Sequence, residues 1–154
     1  MLLELRGVWK RYTGDWVLRE VELELRPGDA VAVVGPNGSG KTTLLRVASG
    51  LTAPSRGRVL VSGRPPSSPE ARRAMGVVGH SHMLYRKLTV RENLSLFSRL
   101  YGVGVDWALV ESLGLDRYLD RRVEELSFGW RKRADLARAL LHRPRLLPVD
   151  EPLT

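Results

Sequence analysis

The sequence predicts an α/β fold with an antiparallel β layer near its start. Residues 2–8 and 17–25 alternate apolar and polar side chains, as half-buried strands do. Residues 30–34 are apolar and β-branched, which is typical of a buried strand. From Thr89 onward the apolar spacing becomes helical. Strands first, a strand–loop–helix unit next and helices last together favour the α/β class.

The loop after the predicted strand 30–34 is rich in glycine. Residues 35–42 fit the phosphate-loop pattern G-x-x-x-x-G-K-[ST], and a helix that Gly50 can end follows them. Glycines let backbone N–H groups turn inward, and the helix dipole adds positive charge. We therefore predict a polyphosphate site, although a glycine-rich turn could resemble the pattern. Its residues are Gly35, Pro36, Asn37, Gly38, Ser39, Gly40, Lys41, Thr42 and Thr43.

Within this loop two side chains have predicted chemical roles. Lys41 would bridge the β- and γ-phosphates of a nucleotide, which makes it a candidate catalytic residue, and the Thr42 hydroxyl would ligate Mg²⁺. Asp150 and Glu151 follow a later apolar stretch, 146–149, predicted as a strand. A carboxylate at that strand end would lie beside the phosphate loop, so Asp150 would hold the metal and Glu151 would polarise a water. An exposed Asp-Glu pair in a turn is the alternative.

Further elements connect these segments. Short strands are predicted at 58–63 and 75–78, with a loop over 64–69 between them. Thr89 and Glu92 form a capping box at the start of a helix that ends at Gly102. A short helix covers 106–113. Ser127 caps a long helix predicted to reach His142, before Pro144 stops it.

Composition narrows the class of protein. The chain has 154 residues and no cysteine, which suits one domain over 1–154 without disulfides or cysteine-based metal sites. It has no apolar run long enough to span a membrane and no signal-peptide pattern, so we expect a soluble, cytoplasmic protein. The formal net charge is +8, but the positive residues are spread along the chain. We interpret most of them as solvated, because charge alone does not distinguish a functional patch.

One further motif makes the resemblance specific. The segment 126–130, Leu-Ser-Phe-Gly-Trp, heads the long helix shortly before Asp-Glu-Pro. The chain thereby resembles the ABC-type ATPases, the ATP-binding subunits of ABC transporters, whose signature is usually L-S-G-G-Q. In that family the Ser127 hydroxyl and the Gly129 N–H would face the γ-phosphate of ATP on the other subunit of a head-to-tail dimer. A purely structural N-cap serine would look the same locally.

The resemblance implies a fold, a function and partners. The fold would be a P-loop NTPase of ABC type, with a parallel core sheet, flanking helices, an N-terminal antiparallel layer and a helical insert at 89–126. The function would be MgATP binding and hydrolysis, coupled to transport by transmembrane permease subunits. ATP and Mg²⁺ are the implied cofactors. The subunit would sit on the inner face of the cell membrane, and no nucleic acid is expected as a partner.

Two more site residues come from the resemblance. Tyr12 is similar to the aromatic residue that stacks on adenine in this family, although Trp9 and Trp16 are nearby rivals. His80 stands where the family usually has a glutamine that contacts Mg²⁺ or the attacking water, and it could equally hydrogen-bond within the cleft. The Gly79-His80 pair resembles the ATPases of haem exporters in cytochrome c biogenesis.

The chain departs from the family pattern in three places. It stops at Thr154, where the family continues with further core strands, so we expect a domain truncated after the second carboxylate motif, with ATP binding but weak or no hydrolysis. Pro148 interrupts a predicted strand. Phe128 and Trp130 replace the usual signature residues. Two alternatives remain: a nucleotide-binding module that regulates a complete subunit, or a soluble ABC protein acting on nucleic acid or ribosomes.

Overall fold

A computed structural model describes residues 1–150 of the chain, and Glu151 therefore lies outside the described residues. The chain divides into two compact units, Met1–Met75 and Gly76–Thr154. Among the helices of residues 1–150, none combines the length and the apolar character needed to cross a membrane.

The first unit contains a three-stranded antiparallel sheet in the order β2-β1-β3. Its strands are β1 (Leu3–Lys10), β2 (Leu18–Leu25) and β3 (Arg56–Val61). Leu3 pairs with Leu25 on one side and with Val61 on the other. The strands predicted at 2–8, 17–25 and 58–63 are thus confirmed. Helix α1 (Lys41–Ala48) contacts β1.

A short helix that the sequence did not predict follows the sheet. Helix α2 (Pro69–Ala74) begins at the last residue of the proline-rich loop predicted at 64–69. Ser68 caps this helix, because its side chain accepts a hydrogen bond from the Ala71 N–H at 3.1 Å. Pro69 occupies the first helical position, where its missing N–H costs nothing.

The prediction of a strand at residues 30–34 is wrong. These residues form no strand, and Val31, Val33 and Val34 are 52%, 40% and 86% exposed. An extended segment becomes a strand only when its N–H and C=O groups pair with a neighbour. Among residues 1–150, no strand or bridge pairs with this segment. Apolar, β-branched composition alone was therefore insufficient.

Helices and short 3₁₀ turns build the second unit. They are α3 (Val90–Tyr101), α4 (Trp107–Ser112) and α5 (Phe128–Leu140), with 3₁₀ turns at Leu115–Tyr118 and Val123–Glu125. The predicted caps at Thr89, Gly102 and Ser127 are confirmed. Helix α5 ends at Leu140, before the predicted His142. The centre of the core is fully buried and consists of Val90, Leu94, Val110, Leu115, Val123, Ala134 and Ala137.

The two strands predicted at 75–78 and 146–149 meet in parallel, but only through one bridge, Val78 to Val149. The Val78 N–H donates to Pro148 O at 3.0 Å, and the Asp150 N–H donates to Val78 O at 2.8 Å. The Gly76 N–H continues this pattern by donating to Leu146 O at 2.9 Å. The alternating pattern next requires a donor at residue 148, and proline has none. Pro148 thus reduces a parallel ladder to a single bridge.

Gly76 lets this pair approach helix α5 closely. A Cβ atom at this position would lie 2.3 Å from the Ala139 carbonyl oxygen, well inside contact distance. Any larger residue would push the segment away from the C-terminal half of α5. The bridged pair of segments, which leads to Asp150, is therefore positioned by backbone packing as well as by hydrogen bonds.

Candidate functional site

The glycine-rich loop of the first unit leads directly into α1. Gly38 and Gly40 have φ angles of 82° and 98°, a conformation that glycine adopts without the strain a side chain would add. Helix α1 begins at Lys41, and the Leu44 N–H donates to Gly40 O at 2.9 Å. The first N–H groups of a helix have no intrahelical partner, so this turn presents donors and a positive dipole end to an anion.

Side chains of the loop fold back onto its own carbonyls. The Lys41 ammonium donates to Gly35 O and, at 3.3 Å, to Pro36 O. The Ser39 N–H and hydroxyl both donate to Pro36 O, at 3.2 and 2.7 Å. Thr42 is exposed, and Thr43 is half-buried. The structure thus gathers the predicted phosphate-loop residues, with a cationic side chain among them, at one helix start.

Tyr12 lies in the loop between β1 and β2 and is 55% exposed. The Lys10 ammonium lies 5.0 Å from the centre of its ring. The rival residues Trp9 and Trp16 instead pack on each other edge to face, with ring centres 5.2 Å apart. Of the three aromatic residues, Tyr12 is the one that the structure leaves most open to a ligand.

In the second unit Asp150 ends the bridged segment and is 8% exposed. The Lys132 ammonium donates to Asp150 O at 2.7 Å and to Gly79 O at 2.6 Å. One buried cation of α5 therefore ties together the ends of both bridged segments. Glu151, the predicted base, lies outside the described residues.

His80 is exposed and lines a cavity of about 450 Å³ in the second unit. The other lining residues are Ser81, His82, Leu84, Arg86, Phe128, Arg131 and Lys132. Burial lowers the pKa of His82 below its ordinary value of 6.5, with Arg131 and Arg86 acting in the same direction against Asp135. The cavity thus combines imidazole groups with several cations.

Ser127 and Gly129 lie at the start of α5. The Ser127 hydroxyl accepts a hydrogen bond from the Trp130 N–H at 3.4 Å, so it caps the helix. Within 4 Å of a Cβ placed at Gly129 there is nothing, which leaves that backbone accessible. Phe128 is 65% exposed, whereas Trp130 packs on Tyr118 with ring centres 4.4 Å apart. The unusual Trp130 is thereby explained by the core of this unit.

Sequence reasoning missed the buried cations of α5. Lys132 and Arg138 are 4% and 2% exposed, although the positive residues were mostly interpreted as solvated. Arg138 donates to Asp135 Oδ1 at 2.9 Å and to Val77 O at 2.7 Å. These two residues are exceptions to that interpretation, because their backbone acceptors Gly79 and Val77 lie far away in the sequence. The available signal was Asp135, which lies one turn before Arg138 in the same helix.

The donor chemistry suits a hard cation. A threonine hydroxyl and a carboxylate are oxygen ligands of the kind that Mg²⁺ accepts alongside phosphate oxygens and water. Among the side chains of residues 1–150, no group of three or more His, Asp or Glu is arranged to hold a metal by itself. Thr42, Asp150 and His80 therefore remain predicted metal contacts that would act together with a nucleotide.

Comparison with known proteins decides the family. The model of the ABC transporter family matches residues 18–154. The chain belongs to the ABC transporter family. Two relatives are each 38% identical: a phosphonates import ATP-binding protein of Alcaligenes faecalis and a Nod factor export ATP-binding protein of Cupriavidus metallidurans. The matches cover 98% and 99% of this chain but 62% and 53% of those proteins, so the chain spans a little over half their length.

A solved ABC structure has the same fold. It is a dimeric ATP-binding cassette in a post-hydrolysis state, bound to ADP and phosphate, with a TM-score of 0.82 and 25% identity. The match covers 97% of this ABC family chain and 76% of that structure. The predicted fold class, an α/β ATPase domain of ABC type, is therefore confirmed.

Proposed function

We propose that this chain is the ATP-binding part of an ABC transporter, which couples MgATP binding and hydrolysis to transport by partner membrane subunits. The observation that carries the proposal is the phosphate loop: Gly38 and Gly40 turn the backbone into the start of α1, and Lys41 lies over the loop. A relative named for import and one named for export are equally identical to the chain. Family membership therefore leaves the substrate and the direction of transport open.

In the first unit each residue would contact one part of the nucleotide. The N–H groups of the loop 35–43 would bind phosphate oxygens, and Lys41 would move from the loop carbonyls to the β- and γ-phosphates. Tyr12 would stack on the base through its open face. These contacts would account for binding and orientation of ATP before any bond breaks.

A second set of residues has proposed roles in hydrolysis. Asp150 and the Thr42 hydroxyl would hold Mg²⁺, which would neutralise charge on the transferred phosphate. Glu151 would orient and deprotonate the attacking water. His80 would contact that water or the metal through a neutral imidazole nitrogen. Lys132 would keep the Asp150 backbone in place through its hydrogen bond.

A second subunit and a membrane partner complete the proposal. Ser127 and Gly129, at the start of α5, would meet the γ-phosphate of ATP bound to the other subunit of a head-to-tail pair. The accessible Gly129 backbone supports this role, and the matching solved structure is dimeric. The pair would lie on the inner face of the cell membrane against permease subunits.

Titration of the purified chain with a fluorescent ATP analogue and Mg²⁺ tests the proposal. We expect saturable binding that Lys41→Ala weakens about 10- to 100-fold, because a charge-assisted contact to phosphate contributes about 1.5–3 kcal/mol.

The matched control is Lys87→Ala, which removes a lysine whose side chain is 83% exposed and pairs with Glu124. That variant should bind the nucleotide as the wild type does. Equal affinities of the wild type and Lys41→Ala would refute the assignment.

A further inference from the structure

The loop between β1 and β2 touches the phosphate loop. It is closed at its base by the Val17 N–H, which donates to Lys10 O at 2.8 Å. At Gly40, a Cβ atom would lie 3.0 Å from the Val17 carbonyl oxygen and 3.3 Å from the Val17 Cγ1 atom. The last residue of this loop therefore packs against the residue that precedes Lys41. Tyr12 belongs to the same loop, so a shift of the loop would change the distance between the Tyr12 ring and the phosphate loop.

A cluster that we call the indole clamp holds this loop. It consists of Trp9, Trp16, Arg11 and Arg56. The two indoles meet edge to face with ring centres 5.2 Å apart. The guanidinium groups of Arg11 and Arg56 lie 4.6 and 5.0 Å from the centre of the Trp16 ring, and Arg56 also lies 5.8 Å from that of Trp9. Trp16 is thus contacted by β1, by its own loop and by β3.

Further hydrogen bonds attach the loop to the segment before β3. The Ser55 N–H donates to Trp9 O at 2.8 Å, and the Arg11 N–H donates to Ser55 Oγ at 3.1 Å. Neither Arg11 nor Arg56 has a carboxylate within ion-pair distance among residues 1–150. Their guanidinium groups are therefore contacted by indole rings and not by an acidic side chain of the described residues.

Tyr12 presents one face to solvent. The Lys10 ammonium lies 5.0 Å from its ring centre and is itself anchored by donating to Ala53 O at 2.7 Å. One face of the ring is therefore covered by a fixed cation, while the side chain stays 55% exposed. A ring held in this way offers a single stacking surface.

We propose that Trp16 is a positioning residue of the nucleotide site. It locks the loop 11–17 so that the open face of Tyr12 and the phosphate loop keep a fixed separation, which lets one nucleotide engage both. This inference rests on the proposed nucleotide-binding function. Loss of the indole clamp should therefore weaken the contact of Tyr12 with the base and leave the phosphate contacts unchanged.

Calorimetric titration with MgATP and with magnesium tripolyphosphate, which lacks base and ribose, tests the proposal. Trp16→Leu should lower the ATP affinity about tenfold, within the range of a lost base stack, and leave the tripolyphosphate affinity unchanged. Trp16→Phe, which keeps a ring, should recover most of the loss. The control Trp107→Leu removes a tryptophan that is 43% exposed in the second unit and should change neither affinity.

Two further variants keep the proposal falsifiable. Tyr12→Leu combined with Trp16→Leu should lose no more ATP affinity than Tyr12→Leu alone, because the clamp acts through the Tyr12 ring. If Trp16→Leu does not fold, a substitution at the exposed Arg56 replaces it. Arg56→Leu should lower the ATP affinity about threefold. An unchanged ATP affinity in that variant would overturn the proposal.

The remaining outcomes separate this inference from the proposed function. If Trp16→Leu loses as much affinity for tripolyphosphate as for ATP, the positioning role is overturned. The proposed nucleotide-binding function is not affected by that result. The proposed function and the inference are both overturned if the wild-type protein binds neither ligand. They are also overturned if Lys41→Ala binds both ligands as tightly as the wild type does.

Discussion

Two cationic side chains of α5, Lys132 and Arg138, hold backbone carbonyls in the interior of the second unit. Lys132 reaches Gly79 O and Asp150 O, and Arg138 reaches Val77 O. Asp135, which is fully buried, accepts from Arg138 at 2.9 Å. A buried charge is costly unless it is compensated: Arg138 is paired with Asp135, and Lys132 donates to two backbone carbonyls.

Removing the Lys132 charge should destabilise the chain. Lys132→Met keeps the length of the side chain but leaves the carbonyls of Gly79 and Asp150 without their donor. We expect a loss of about 1–3 kcal/mol in the free energy of unfolding, measured by urea denaturation. Lys87→Met, at an exposed lysine, is the control and should change stability by less than about 0.5 kcal/mol. A similarly small change for Lys132→Met would contradict the role assigned to it.

His82 should make stability depend on pH. Burial lowers its pKa below 6.5, so the unfolded chain binds this proton more tightly than the folded chain does. Stability should therefore be complete above about pH 6.5 and fall as the pH drops through the lowered pKa. His82→Gln should flatten this part of the stability curve, with His80→Gln as control. Parallel curves for wild type and His82→Gln would show that His82 does not titrate in this way.

At the level of elements, side-chain caps define where the helices of the second unit begin. Thr89, Asp106 and Ser127 each accept a hydrogen bond from the helix that follows. The start of α3 is fixed twice, since buried Asn93 accepts from the Tyr85 N–H at 2.7 Å and donates to Thr89 O at 2.9 Å. Local chemistry and packing agree here, which explains why the boundaries were predictable.

The capping box of α3 gives a direct test. Thr89→Ala removes the acceptor for the Glu92 N–H and should cost about 1 kcal/mol of stability in urea denaturation. Thr89 also lowers the pKa of Glu92 by hydrogen bonding to its carboxylate. Thr13→Ala, at an exposed threonine in the loop before β2, is the control. A loss no larger than that of Thr13→Ala would show that the cap contributes nothing.

At the level of the whole molecule, the predicted site residues are divided between two units. Tyr12 and the phosphate loop belong to the first, whereas His80, Ser127, Gly129 and Asp150 belong to the second. Nucleotide binding is therefore expected to respond to substitutions in the first unit, and the proposed hydrolysis depends on both. Some of the 25 basic residues are also engaged inside the protein or in ion pairs, as for Arg138 with Asp135 and Arg91 with Asp120.

The sequence alone determined the features that depend on neighbouring residues. The phosphate-loop pattern, the capping box at Thr89, the N-cap at Ser127 and the alternation of β1 and β2 all act within a few positions, so they could be predicted. The family followed from motifs of the same local kind.

Tertiary structure decided what depends on distant partners. It buried Lys132 against Gly79 and Asp150, left Val34 exposed in a segment that composition assigned to a strand, and set Trp16 against Trp9 and Arg56. The burial of Lys132, the pairing of a strand and the contact of Arg56 with Trp16 each need a partner far along the chain. Composition and spacing indicate which residues need such a partner, but the partner itself is defined only by the folded chain.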